Sequence, residues 1–457
     1  MSKPSIALRA ASTLAILALL ACTAPGPATP GPATPGPATA DPATADPGTP
    51  LPASPAPATD TPATAAPGTP TGEAIVVGST LSLTGAFGPT AAIHQIAGDQ
   101  FVDQLNAAGG LLGQPVEWNV LDDESDPANV SDLYERLITQ EGVDLILGPY
   151  ATPLILSAMG VAERHGYVLP QHTAVLAPLL TYDCQFPAWS ISPTPNEFIP
   201  NQLFDALASL PEPPQRIAFV TNQSGSTDFV TYGLADVADS PGALSIAQEG
   251  GLEVVLDIRY PPGTSEWNAQ AAQLRDADPD FIMMNSLGVE SQGLLQAMEQ
   301  LQYRPPLMFS LFPAPGPLLG LGEAAEGHLS VSMFEPNEPI LERMGPEVRT
   351  VVEEFQSRAE TAGLPYTAFE TQATSSWTAW EILVAGVEGA GSLDHDAICQ
   401  YLVENGADTT FHGHLTFDPE QSNFWETTSG IKQIQGGDWV MVWPEDRAAA
   451  PMQGPQN

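Results

Sequence analysis

The feature that most constrains this chain is a recurring unit: a short apolar run that stops at glycine or proline, a loop, and then a stretch of helical periodicity. Its clearest copy is Val143-Asp-Leu-Ile-Leu-Gly148-Pro149-Tyr150-Ala151-Thr152-Pro153. β-Branched and leucine residues bounded by Gly-Pro read as a strand buried on both faces, and Thr152 before Pro153 reads as a helix N-cap followed by the first helical position. Such a turn sets backbone N–H groups, a hydroxyl and the Tyr150 ring at the carboxyl end of a parallel strand. Open α/β sheets bind ligands at that place.

The unit recurs along the chain. Ile75-Val-Val-Gly-Ser-Thr-Leu81 opens the folded part, followed by the loop Thr84 to Gly88 and a helix carrying Ile93, Ile96, Phe101, Val102 and Leu105. Gly109 and Gly110 end that helix and swing the chain into a strand from Val116 to Leu121. The acids Asp122, Asp123, Glu124 and Asp126 precede Pro127; they read as helix caps and first-turn charges, with a calcium loop as the weaker alternative. A helix from Leu154 to His165, a strand from Gly166 to Pro170 and the loop Gln171-His172-Thr173-Ala174 come next, and a strand from Ala188 to Ser192 leaves the first series. The second series places strands at Arg216 to Thr221, Glu253 to Tyr260, Asp280 to Asn285, Leu307 to Phe309 and His328 to Met333. Alternating strands and helices build a parallel sheet covered on both faces, and two series of about five strands predict two similar lobes. The last third differs, with helices at Glu347 to Glu360, Thr371 to Val387 and Asp396 to Glu404 and no strands between them. Only then come His414 to Asp418 and a hairpin, Ile431 to Ile434 and Trp439 to Trp443, turned by Gly436-Gly437-Asp438.

Composition excludes several functions. The 457 residues carry a formal net charge of −41, which repels nucleic acid and anionic lipid surfaces. Lysine occurs only as Lys3 and Lys432, which disfavours Schiff-base catalysis, a P-loop and a Ser-x-x-Lys nucleophile. No Gly-x-Ser-x-Gly elbow is present. His412-Gly-His414 sets two imidazoles on one strand face, but no cysteine or acid pattern joins them, so neither a metal nor a catalytic centre is expected, and no cofactor.

The ends carry an address. Met1 to Ala21 has two cations, Lys3 and Arg9, and an apolar run from Ala10 to Leu20 that is too short to span a bilayer, so it reads as an export signal. It closes Leu19-Leu20-Ala21-Cys22, which resembles the bacterial lipoprotein signal: residues 1–21 would be removed and Cys22 lipidated. Ordinary cleavage after Ala21 is the alternative. Residues 22–72 form a Pro, Ala and Thr tether in which Pro25-Gly-Pro-Ala-Thr29 is repeated up to Thr39; it has nothing to bury. At ~3.1 Å per residue it reaches up to roughly 150 Å from the membrane. Outside the cytoplasm Cys184 and Cys399 either pair as a disulfide or stay as two thiols.

Seven segments recur together in one known family: Leu83-Thr-Gly-Ala-Phe-Gly88, Asn106-Ala-Ala-Gly-Gly-Leu-Leu-Gly113, Gly148-Pro-Tyr-Ala-Thr152, Tyr260-Pro-Pro-Gly-Thr-Ser-Glu-Trp267, Asp278-Pro-Asp-Phe281, Gly322-Glu-Ala-Ala-Glu-Gly327 and Gly413-His-Leu-Thr-Phe-Asp418. In this order and spacing, from about Ala74 to Pro444, the chain resembles the substrate-binding lipoproteins of branched-chain amino-acid type ABC transporters. The resemblance implies the class I periplasmic-binding architecture: an α/β fold of two doubly wound parallel-sheet lobes joined by three hinge crossovers, near Ser192, Met333 and Thr416. Lobe 1 would comprise residues 73–192 and 334–415, lobe 2 residues 193–333 and 416–445, and residues 446–457 a disordered tail. A small ligand, an amino acid, amide or carboxylate, would lie between closing lobes, and ABC permease subunits would recognise the closed form. The protein would be a monomer held to the outer face of the cell membrane by its lipid alone, with no nucleic-acid partner. A ligand sensor serving a separate signalling partner is the alternative.

By position the resemblance places Thr152 and the Tyr150–Ala151 backbone on a ligand head group, His172, Thr173 and Ala174 beside it, and Phe87 along the wall. In lobe 2 it points to Leu287, Phe312 and Phe229, with Tyr232 as the alternative to Phe229. Here the chain departs from the family. Amino-acid binders place an acid for the ligand ammonium in the loop that corresponds to Ser310-Leu311-Phe312, and aromatic residues on the neighbouring strand ends, here near Ser286-Leu287; neither position offers a carboxylate. An unpaired ammonium in a closed cleft costs several kcal/mol, about the price of burying any lone charge. Glu290 is the nearest substitute, and it reads as a helix start.

Overall fold

The computed structural model describes residues 69–455 apart from 173, 235–239 and 426–428. The export signal, Cys22, most of the tether and Thr173 lie outside the described residues.

Lobe 1 starts with β1 (Ile75–Leu81), α1 (Gly88–Ala108), β2 (Val116–Asp122), α2 (Pro127–Arg136), β3 (Leu145–Ile146), α3 (Thr152–His165), β4 (Leu169–Gln171) and β5 (Gln185–Pro187). Its sheet has the order β2-β1-β3, all parallel, with Ile75 opposite Val116 and Val77 opposite Leu145. β4 and β5 form a separate parallel pair. Gly148 joins the two sets, donating its N–H to the Pro170 carbonyl at 2.8 Å. A Cβ at Gly148 would come within 2.6 Å of the Gln171 Cβ, so only glycine allows this approach.

The chain then crosses to lobe 2 between β5 and α4 (Pro195–Ala208), and Ser192 on this crossing holds a left-handed φ of 138°. β6 (Arg216–Asn222), α5 (Gly225–Tyr232), α6 (Ala243–Glu249), β7 (Glu253–Tyr260), α7 (Asn268–Ala277), β8 (Phe281–Gly288), α8 (Glu290–Gln300), β9 (Met308–Pro313), α9 (Pro315–Leu319) and β10 (Leu329–Ser332) follow. A second crossing leads to α10 (Glu338–Met344), α11 (Pro346–Thr361), α12 (Thr371–Ala390), α13 (His395–Asn405), β11 (Ala407–Thr409) and β12 (Gly413–Leu415). These helices return to lobe 1. Gln100 of α1 donates to the Val351 carbonyl at 3.0 Å, and Ser376 of α12 donates to the His94 carbonyl at 3.0 Å. Gly98, midway along α1, is where Trp118 of β2 and Trp380 of α12 meet; a Cβ there would lie 2.3 Å from the Trp118 ring. Phe101 adds a ring 4.9 Å from Trp377 and 5.8 Å from Trp380, pairs worth ~1 kcal/mol each beyond their buried area.

The third crossing leads to β13 (Gly430–Gln435) and β14 (Asp438–Trp443), which complete the seven-stranded sheet of lobe 2 in the order β14-β13-β10-β9-β8-β6-β7. β13 runs antiparallel to β10, with Leu329 opposite Gln433. Gly436 and Gly437 turn the hairpin at φ 64° and 84°, as a two-residue mirror-image turn requires. The Glu326 carboxylate accepts both of their N–H groups, at 2.6 and 3.1 Å.

The class I arrangement is therefore present, with four local differences. The two lobes do not have equal sheets, because the prolines at 149, 170 and 187 withhold ladder donors and keep β3, β4 and β5 to two or three residues. The strand expected at Ala188 to Ser192 is assigned to Gln185–Pro187, although Ala188 and Trp189 continue its pairing to the Gln171 and His172 carbonyls at 2.8 and 3.1 Å. Thr152 is not the N-cap of α3: Ala151 is, and Thr152 is already helical. Residues 446–455 are not a disordered tail. Ala449 donates to the Met441 carbonyl at 2.8 Å, and Gln453 exchanges two hydrogen bonds with the buried Gln433 amide at 2.8 and 2.9 Å, so the segment supplies partners that β13 and β14 would lack.

The remaining polar motifs resolve into structure. Asp123 accepts the Thr80 and Ser82 hydroxyls at 2.9 and 2.6 Å, Asp122 holds the Thr84 N–H and hydroxyl, and Asp126 caps α2 through the Ala128 N–H. His412 is buried against Trp425 while His414 pairs with the exposed Asp408 at 2.8 Å, so the two imidazoles part. Cys184 and Cys399 form a disulfide with Cα atoms 5.5 Å apart, tying the β4–β5 connection to α13.

Candidate functional site

The carboxyl ends of the strands in both lobes converge on a narrow cavity of about 40 Å³. Lobe 1 contributes Phe87, Tyr150, Ala151, Thr152, Pro153 and Val175; α12, on its return, adds Gln372. Lobe 2 contributes Ser226 from the first turn of α5, Leu287 from the end of β8 and Phe312 from the end of β9. A larger cavity of about 250 Å³ lies beside Leu295, Met298, Tyr303 and Glu323, but its wall comes from lobe 2 alone. Only the narrower one joins the lobes at the strand ends where parallel sheets present ligands.

The turn before α3 is built to face this cavity. Ala151 holds φ 76° and ψ 138°, an outlier for a residue with a side chain, and such strain is kept where surroundings over-determine it. The Ala151 and Thr152 N–H groups make no hydrogen bond among the described residues. Thr152 Oγ1 accepts the Val175 N–H at 2.9 Å, which uses one of its two lone pairs and leaves its proton to donate. The Tyr150 ring meets Phe87 edge-on at 5.7 Å and His94 at 4.9 Å, and His94 in turn meets His172 at 4.4 Å. Ser125 fixes the Phe87 loop by accepting the Phe87 N–H at 3.1 Å and donating to the Thr84 carbonyl at 2.9 Å.

The lining carries no formal charge. Burial and the neighbouring His172 hold His94 well below the usual imidazole range, against a hydrogen bond to Gln372. Burial lowers His172 to about 4; the Pro149 carbonyl lies near its ring, though neither nitrogen meets hydrogen-bond geometry among the described residues. Both rings are neutral at neutral pH. Burial and the Glu370 carboxyl raise the Tyr150 phenol, which stays protonated. Behind the wall, Lys432 of β13 lies 2.7 Å from Glu335, on the second crossing, and 3.6 Å from Glu370, which caps α12. Burial pushes Glu370 up to about 7 against the pull of Lys432, and Glu335 raises it further.

Six of the ten residues expected from sequence line the cavity: Phe87, Tyr150, Ala151, Thr152, Leu287 and Phe312. His172 supports the wall through His94 rather than lining it, and Ala174 is fully buried in the core. Phe229 is a core residue as well; Ser226, one turn earlier on α5, takes the expected place. Thr173 lies outside the described residues. Pro153, Val175, Ser226 and Gln372 were not among the expected site residues, although Pro153 was read as the first helical position after Thr152. Val175 follows the expected loop by one residue, Ser226 follows from helical spacing once α5 is placed, and nothing local in the sequence marks Gln372. Glu290 begins α8, and its carboxylate is occupied by Asn222 at 2.6 Å, Tyr260 at 2.8 Å and the Leu287 N–H at 3.1 Å.

Two lobes with a shared, uncharged cleft at their strand ends define a two-lobed solute-binding protein, and residues 74–437 match the family described as periplasmic binding protein. The chain belongs to that family, which is one of binding proteins rather than enzymes. Among curated relatives, Leu/Ile/Val-binding protein homolog 8 of Brucella abortus (strain 2308) is 27% identical over 212 residues, covering 45% of this chain and 49% of that protein. The match thus spans about half the length of that relative. The leucine-, isoleucine-, valine-, threonine-, and alanine-binding protein of Pseudomonas aeruginosa is 21% identical over 325 residues, 69% of this chain and 78% of that one. The leucine binding protein LivK of Thermotoga maritima MSB8 has the same fold, with a TM-score of 0.66 at 18% identity over 81% of this chain and 99% of its own. A solute binding protein of an R. palustris ABC transporter, in complex with benzoate, gives 0.65 at 17% identity, covering 84% and 98%. LivJ of Streptococcus pneumoniae, in complex with isoleucine, gives 0.63 at 17% identity, covering 84% and 100%. Among the described residues no helix is long and apolar enough to cross a membrane.

Proposed function

We propose that this chain is the extracytoplasmic binding component of an ABC importer, anchored through lipidated Cys22, and that its ligand is a small molecule with an oxygen-bearing head and an apolar or aromatic body. The observation that carries this reading is the cavity itself: both lobes wall it, Phe87, Tyr150, Leu287 and Phe312 supply apolar surface, and Thr152, Ser226 and Gln372 supply neutral polar groups. At about 40 Å³ it is far smaller than the several hundred Å³ usual for a small-molecule site, so the lobes part to admit a ligand and close over it. Closure excludes water and strengthens each polar contact, and a permease distinguishes the closed from the open form. Relatives of the same fold hold benzoate and isoleucine, which mark the two ligand classes to compare. Among the described residues no carboxylate lines this cavity, which favours the class without an ammonium.

A thermal-shift and native mass-spectrometry screen of the purified protein against amino acids, amides, carboxylates and aromatic acids tests this. A ligand that binds only the folded state raises Tm. Carboxylates without an amine should stabilise the protein; silence across the panel, or turnover of any member, would contradict the reading.

A further inference from the structure

The hydrogen-bond polarity around the cavity is one-sided. Gln372 Oε1 lies 3.2 Å from His94 Nε2. An amide oxygen only accepts, so Nε2 carries the proton, and burial keeps the ring in that single neutral form. The Gln372 amide nitrogen is then left facing the cavity that the side chain lines, with no partner among the described residues. Thr152 adds a further donor, one lone pair of its oxygen held by Val175 and its proton free. The Ala151 and Thr152 N–H groups add two more unpaired donors. Among the described lining side chains, the Ser226 and Tyr150 hydroxyls and the second lone pair of Thr152 are left to accept.

Neither nearby acid redresses the balance. Glu370 accepts the Gln372 N–H at 2.9 Å with one oxygen, and its other faces Lys432 at 3.6 Å. Glu290 is held by three donors. A ligand carboxylate or carbonyl would satisfy the donors, whereas an ammonium would meet no anion and would leave the donors unpaired.

We propose that Gln372, its amide orientation fixed by His94, is the polarity selector of the cleft, donating to a ligand carboxylate or carbonyl oxygen and rejecting ligands whose head is an amine. This rests on the cleft being the ligand site. His94 is a positioning residue: it acts through Gln372 and need not touch the ligand.

Benzoate, benzamide and benzylamine share a body and differ only in the head, so calorimetric titration of the purified full chain with these three probes reads the selector. Wild type should bind benzoate about tenfold tighter than benzamide and show no binding of benzylamine. Gln372→Glu replaces the donor with an acceptor and should lose about 100-fold in benzoate affinity while gaining benzylamine. His94→Leu should reduce the benzoate preference over benzamide to about threefold or less, and His94→Gln, which can still donate to Gln372, should restore it. Rescue by glutamine separates positioning from a packing defect. Undiminished benzoate binding in Gln372→Glu, or an unchanged preference in His94→Leu, would overturn the proposal. Wild type that prefers benzylamine would leave the cleft a binding site and overturn the selector; wild type that binds none of the three overturns the selector and the aromatic-acid reading together.

Discussion

Val175 donates its backbone N–H to Thr152 Oγ1 at 2.9 Å, across the base of the cleft, and this bond occupies one lone pair of the hydroxyl while its proton stays available to the cavity that Thr152 lines. Thr152→Ala removes the donor and should weaken carboxylate binding about tenfold, the equivalent of roughly 1–1.5 kcal/mol for one hydrogen bond. Thr152→Ser keeps the hydroxyl and should stay close to wild type. Calorimetry with benzoate distinguishes them, and an unchanged affinity in Thr152→Ala would remove this hydroxyl from the site.

Lys432 is the one lysine besides Lys3, and it is buried between Glu335 at 2.7 Å and Glu370 at 3.6 Å, with its ammonium 4.7 Å from the Trp439 ring centroid. Lys432→Met leaves two carboxylates together in the interior and should destabilise the protein by about 3–5 kcal/mol. Adding Glu335→Gln and Glu370→Gln removes the orphaned charges and should recover most of the loss. Urea denaturation of the single and triple variants checks both halves.

Glu381 of α12 is half-buried beside Thr410 and Trp377, and one of its oxygens has no partner among the described residues. Burial pushes its carboxyl up to about 7, against hydrogen bonds from Thr410 and Trp377 that lower it. The unfolded chain releases this proton near 4.5, so between there and about 7 the folded state holds more protons, and its contribution to stability is lost as pH rises. Glu381→Gln cannot ionise. Thermal denaturation should show it near wild type at about pH 5 and more stable at about pH 8; equal pH dependence in both proteins would refute the assignment.

The Cys184–Cys399 disulfide closes a loop of sequence separation 215 between the β4–β5 connection and α13. Replacing both with serine should lower stability by about 2–4 kcal/mol, measured by denaturant titration, while benzoate affinity stays the same because neither residue lines the cleft. Alkylation of the native, unreduced protein at either cysteine would contradict the pairing.

Much of the fold was legible because period and punctuation agree. Ile75–Leu81 is apolar on both faces and bounded by turn residues, and it became the central strand of lobe 1. The second series emerged with strands within a few residues of expectation, since β8 and β9 are buried along most of their length. What local pattern could not show was where backbone donors run out: Pro170 and Pro187 sit inside short strands, and the terminal segment reads as linker although Gln433 needs its partners. The site divides in the same way. The Tyr150 to Thr152 turn announces itself by strand, Gly-Pro and helix start, whereas Gln372 joins Thr152 in lining the cavity only because α12 returns across the second crossing, a juxtaposition over more than two hundred residues that no local spacing encodes. Phe229 was misplaced for a smaller reason: a ring on a short amphipathic helix went to the core, and the serine on the adjoining turn lines the cavity.

The central claim is that this cleft recognises an oxygen head and has no place for an ammonium. Leucine and 4-methylpentanoate share a carbon skeleton and differ by that one group, so calorimetric titration of the wild-type protein with both measures the claim directly. The expected result is 4-methylpentanoate binding at least about tenfold more tightly than leucine. Micromolar binding of leucine with weaker or absent binding of 4-methylpentanoate would contradict it.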